Sequence, residues 1–154
     1  MANLNNTYTL GAFIELADQA SASNGQLVLV MFKSVGAATD TTMRNCQHLS
    51  DLTAAGLVEC DFTNYARKVM ATGGSDFSVS VNTSTFTRTL TFGTFSYNPA
   101  GGAVNNSPIK SAVCYRPTSG SADSAYRILG IYDATGSANG GTYSHTPGTL
   151  SDDA

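Results

Sequence analysis

A chain of 154 residues fits one domain, and its 42% hydrophobic share is enough to fill a core. Charged side chains supply only 12%, about half the usual ~25%, and the eight basic residues behind a net charge of -3 are scattered. No patch is dense enough to neutralise a phosphate backbone and no apolar run approaches the ~18–20 residues that span a bilayer, so neither nucleic acid nor a membrane is an expected partner.

In chain order, Met1-Ala2-Asn3-Leu4-Asn5-Asn6 lacks the basic region and apolar core of a signal peptide. Synthesis in the cytoplasm without export is the expectation, with residues 1–8 as an N-terminal arm. Leu10, Phe13, Ile14 and Ala17 recur at helical spacing and predict a short amphipathic helix over residues 9–20. Thr7 or Thr9 would cap it, and Asn24-Gly25 supplies the turn that follows. Leu27-Val28-Leu29-Val30-Met31-Phe32 is a continuous apolar run of strand length, which predicts a strand covered on both faces. Residues 34–42, rich in Gly, Ala and Thr, read as a loop, and residues 43–52 as a second short helix or turn.

Strands and turns dominate from there. Residues 57–62 alternate, and residues 65–71 form a further strand broken by Thr72-Gly73-Gly74. Phe77, Val79 and Val81 alternate with Ser78, Ser80 and Asn82, the pattern of a half-buried strand. Residues 86–97 read as one long strand or a bulged pair near Gly93. After a turn-rich loop at 98–108 come strands at 109–115 and 126–132, joined by a polar loop. About seven strands behind one helix predict an all-β, single-domain β-sandwich or small barrel with a short N-terminal helix, spanning residues 9–133. Residues 134–154 are Gly/Ser/Thr-rich and aperiodic, which predicts a flexible or partner-ordered C-terminal tail.

The chemistry-bearing residues do not gather into a motif. Cys46, Cys60 and Cys114 show no Cys-x-x-Cys pair for a metal and no even count for a disulfide framework, so they read as small buried hydrophobes. His48 and His145, the only imidazoles, are far apart in sequence, and no Gly-x-Ser-x-Gly elbow accompanies them. Most Asp residues sit beside turn signals, as in Thr39-Asp40 and Ser75-Asp76. Gly73-Gly74 and Gly101-Gly102 lack the Gly-Lys-Ser/Thr continuation of a phosphate loop. No catalytic, metal-binding or cofactor-binding residue is predicted, and the chain does not read as an enzyme. Arg67 and Lys68 are adjacent, and strand geometry sends them to opposite faces. Tyr65, Tyr115 and Tyr132 read as sheet packing, whereas Tyr8 and Tyr143 lie in aperiodic ends and read as contact residues. With Leu4 and His145 they form the predicted interface, with a partner or a second copy of the chain.

An ordered set of short motifs resembles a family of small β-rich virion structural proteins of tailed bacteriophages. The set comprises Gln26-Leu27-Val28-Leu29-Val30-Met31, then Leu49-Ser50-Asp51-Leu52, then Asn64-Tyr65-Ala66-Arg67-Lys68. It continues with Thr91-Phe92-Gly93-Thr94-Phe95, Ala112-Val113-Cys114-Tyr115 and Ile128-Leu129-Gly130-Ile131-Tyr132. Asp61-Phe62-Thr63 departs from it, standing where such proteins often carry Gly ahead of the Tyr-Ala-Arg-Lys motif. The resemblance implies a decoration or cement protein on the capsid exterior, bound to the major capsid protein and to itself as a trimer or dimer. Its alternative is a tail, neck or fibre component of the virion. From another class, a glycan-binding module would use exposed Tyr and Asn side chains.

Overall fold

The computed structural model describes residues 25–71, 75–85, 87–98, 100 and 107–152. The predicted helix at 9–20 and the arm residues Leu4 and Tyr8 lie outside the described residues.

The organising element is β1 (Gln26–Ser34). Its apolar run does not alternate because both faces are covered. Leu27, Leu29 and Met31 enter one core cluster, while Val28, Val30 and Phe32 enter another. All six are at most 1% exposed, and full burial of such side chains stabilises by about 1.5–3 kcal/mol each. On one side β1 pairs antiparallel with β7 (Lys110–Arg116), which pairs in turn with β8 (Arg127–Asp133). The ladder between β7 and β8 slips at Val113/Cys114. A bulge reverses side-chain alternation, so Ile128 and Ile131 share one core while Leu129 and Tyr132 share the other.

The other edge of β1 is divided between two short strands. β2 (Val58–Glu59) pairs at Phe32 and Ser34, and β3 (Lys68–Val69) pairs at Val28 and Leu29. The expected strands at 57–62 and 65–71 shrink to these because the chain leaves the ladder between them. Asn64, with φ 65°, turns it out and back.

Helices cover one face of this sheet. α1 (Asp40–Asn45) is capped by the Thr39 hydroxyl, which accepts from the Thr42 amide at 3.2 Å. It starts inside the stretch read as a loop, since a six-residue helix is too short to show periodicity. α2 (Leu49–Ala54) has Asp51 at its third position, where the carboxylate accepts from the His48 amide at 2.9 Å and the Gln47 amide at 3.0 Å. It ends at Gly56, whose φ of 103° admits the left-handed cap, with the Leu57 amide returning to the Leu52 carbonyl. Met43, Leu49, Leu52 and Leu57 fill the cluster beneath.

Small antiparallel sheets cover the opposite face. β4 (Phe77–Asn82) pairs with β5 (Thr87–Phe92), and β5 with β10 (Leu150–Asp152). Separately, β6 (Phe95–Tyr97) pairs with β9 (Tyr143–His145). The expected long strand at 86–97 is thus two strands in different sheets. They part at Gly93, where a Cβ would lie 2.2 Å from the Ser75 carbonyl oxygen. The molecule is mostly β, with antiparallel sheets packed as a sandwich, short helices toward its N-terminal part and no closed barrel among the described residues.

The expected tail does not hold. Ala134, Ala138, Tyr143, His145 and Leu150 are all 7% exposed or less, and β9 and β10 are sheet members. Each apolar residue there arrives singly among Gly, Ser and Thr, so no period exists to betray strands only three residues long.

Candidate functional site

Among the described residues, the densest polar cluster lies where the chain leaves the edge of β1 and returns. Met31 falls in the gap between β2 and β3, and its amide donates instead to the Tyr65 hydroxyl at 3.1 Å. That hydroxyl donates onward to Glu59 Oε1 at 2.7 Å. Arg67 grips the same carboxylate in a two-pronged pair, Nε to Oε1 at 2.9 Å and Nη2 to Oε2 at 2.7 Å. Its outer edge grips Asp123 at 2.6 and 2.9 Å. Asp123 comes from a single 3-10 turn, Asp123–Ala125, just before β8.

The Arg67 guanidinium carbon sits 5.6 Å from the Tyr126 ring centre. Arg116 approaches the same ring at 6.0 Å, donates to the Tyr126 hydroxyl at 3.1 Å and to Gln26 Oε1 at 2.8 Å. Lys68 leaves in the other direction and places its ammonium 4.6 Å from the Tyr97 ring centre. Arg67 therefore meets an aromatic of one core and Lys68 an aromatic of the other.

Hydrogen bonds donated to Glu59 and then to Asp123 hold the Arg67 guanidinium charged far beyond its ordinary range. Burial pushes the Tyr65 hydroxyl well up, so it stays a neutral donor. The arrangement is a clamp that closes the sheet edge: its donors and acceptors are satisfied by one another. Tyr65→Phe removes the hydroxyl that serves both Met31 and Glu59. A buried amide left without an acceptor costs about 1–3 kcal/mol, and urea unfolding should show a loss of that size.

A second polar pair lies inside. Ser111 on β7 and His145 on β9 share a 2.7 Å hydrogen bond between Oγ and Nε2. Ser111 is fully buried and His145 is 7% exposed. Burial pushes the imidazole down to about 4, so it is neutral across the physiological range. The pair resembles the start of a nucleophile–base dyad, yet Ser111 is 0% exposed, so its hydroxyl does not face solvent. The cysteines are likewise buried, and none of them is in a disulfide. Burial pushes Cys60 up to about 12 and also raises Cys46 and Cys114, which disfavours the reactive thiolate.

Among the described residues no group of three or more His, Cys, Asp or Glu gathers to hold a metal ion. No helix among them is long and apolar enough to cross a membrane. A shallow cleft of about 190 Å³ opens at the base of β4 and β5, lined by Ser75, Phe77, Ser78, Thr91, Phe92 and Gly93. Basic side chains are largely engaged internally: Lys33 with Asp61, Lys110 with Asp133, Arg67 and Arg116 as above.

Of the predicted interface, Tyr143 and His145 fall among the described residues, and both are buried. Leu4 and Tyr8 lie outside the described residues. Tyr143 is 3% exposed and packs against Phe62 and Tyr97 at ring-centre distances of 6.2 and 6.3 Å. His145 is tied to Ser111 in the interior. Lack of periodicity does not amount to exposure here, because strand pairing with β6 carries both side chains inward. The clamp escapes a reading of the sequence because Arg67 and Asp123 are 56 positions apart. The juxtaposition of Tyr65, Arg67 and Glu59 is the one part a spacing argument could find. No family model, curated protein or solved structure matches the chain in comparisons with known proteins.

Proposed function

We propose that this chain is a structural subunit of a tailed-bacteriophage particle, a decoration or cement protein that binds the major capsid protein on the outside of the shell. The observation that carries the reading is where its most specific motif is used. In Tyr65-Ala66-Arg67-Lys68 every long side chain is consumed in holding the central sheet. In Leu49-Ser50-Asp51-Leu52 the leucines are core and the aspartate is a helix cap. The resembling residues thus act as architecture, and architecture presented to a repeating lattice is what a cement protein contributes.

The surface chemistry agrees with that role. Exposed positions on β4, β6 and β9 include Ser and Asn, which form hydrogen bonds at lower desolvation cost than charges. Of the Tyr side chains a glycan-binding reading would use, Tyr97, Tyr126, Tyr132 and Tyr143 are no more than 4% exposed.

Quantitative mass spectrometry of purified particles tests the proposal. A copy number close to that of the major capsid protein is expected. A handful of copies per particle would transfer the chain to the tail or neck, and its absence from particles would end the virion reading.

A further inference from the structure

We infer that the outer edge of β4 is a homodimer contact, at which two copies of this chain pair their β4 strands antiparallel about a twofold axis through Ser80. The resemblance implies a dimer or trimer without naming a contact surface; the β4 edge supplies one, on grounds independent of the virion reading.

Among the described residues β4 is hydrogen-bonded to β5 alone. The Gly93 amide donates to the Asp76 carbonyl at 2.8 Å, which makes that pair a hydrogen-bonded one. Antiparallel alternation then points the backbone groups of Ser78, Ser80 and Asn82 at β5 and those of Phe77, Val79 and Val81 outward. Edges of this kind are normally blunted by a charge, a proline or a bulge. β4 has none: the chain carries no charged residue between Asp76 and Arg88 and no proline there, and its ladder to β5 runs without a register shift.

The side chains identify the occupant. About Ser80 the strand is nearly palindromic, with Val79 and Val81 on either side and Ser78 and Asn82 beyond them. Pairing through that axis sets Val79 against the second copy's Val81, and Ser78 against its Asn82. Val81, at 61% exposed, is the most exposed large hydrophobic side chain described, while Val79 already packs at the core margin. The pairing would cover the first with the second and exchange the outward backbone groups of both valines. A neutral strand also lets identical copies meet without the repulsion that like charges impose across a sheet. A foreign strand would find the same hydrogen bonds but nothing that favours this register.

An edge contact this short falls at the weak end of interface sizes, so the dimer should exchange with monomer, and a covalent trap is the decisive test. On the axis the Ser80 positions form a non-hydrogen-bonded pair with Cα atoms about 4.5 Å apart, within disulfide range. The two copies of Ser78, by contrast, would stand roughly 13 Å apart along the paired strands, too far for a bridge. Under mild oxidation, full-length Ser80→Cys should form a disulfide dimer and Ser78→Cys should not, the native thiols being buried in both. In sedimentation over a concentration series the wild type should approach twice the monomer mass. Ser80→Lys, with its circular dichroism unchanged, should weaken the association about tenfold or more. Equal crosslinking of the two cysteine variants, no crosslinking of either, or a wild type that stays monomeric at every concentration would overturn the inference. None of these outcomes touches particle copy number, so the two proposals fail separately.

Discussion

A chain ending at Asp133 should not fold. Such a truncation removes β9 and β10 together with Ala134, Ala138, Tyr143 and Leu150, each at most 5% exposed. Burying the Tyr143 and Leu150 side chains alone is worth about 1.5–3 kcal/mol apiece. Their loss also opens the faces of Phe95, Tyr97 and Leu90 and strips β5 and β6 of ladder partners. The combined deficit, on the order of 5 kcal/mol or more, reaches the whole stability of an ordinary domain. Heteronuclear NMR or circular dichroism of the truncated chain should show collapsed dispersion and no cooperative melt. A truncated chain that melts like the full one would mean the segment is an appendage after all.

The second large effect is acid destabilisation through His145. Its imidazole is held neutral by burial, with a folded value of about 4 against an ordinary 6.5. The unfolded chain therefore binds the proton first, and stability falls as pH drops through that interval. The contribution is fully present above about 6.5 and fully lost below about 4. At about 1.4 kcal/mol per pH unit the loss amounts to roughly 3 kcal/mol. Urea midpoints measured across this interval should follow that slope. His145→Gln, which keeps a hydrogen bond to Ser111 but cannot charge, should remove most of it. The Asp51 carboxylate, lowered first by the His48 amide, makes its own loss only at lower pH, below the histidine interval. A wild type whose stability is level from neutrality to pH near 4 would show that His145 is not the buried neutral group described.

Much of the fold was legible where a strand is long or its period clean. β1, with its unbroken apolar run, and β4, with its strict alternation, stand close to the residues read from sequence. So do β7 and β8. Legibility fails where tertiary contacts decide. β2 and β3 are short because the chain must step away from β1 to seat Tyr65, and no local pattern announces that detour. Gly93 reads as a bulge but separates two sheets, since what matters there is a carbonyl of Ser75 arriving from another part of the chain. Of the candidate site, the Tyr-Ala-Arg-Lys motif is visible as a motif and invisible as a clamp. Its partner Asp123 sits beyond any spacing argument.

The pairing of β1 with β7 sets Gln26 opposite Arg116. During synthesis the most apolar strand of the molecule leaves the ribosome long before the strand that will cover its edge, and β9 and β10 arrive later still. Such long-range closure folds slowly, and a bare apolar strand is open to aggregation in the meantime. Yield in a heterologous host should therefore depend on chaperone supply and growth temperature more than on the thermodynamic strength of the finished molecule.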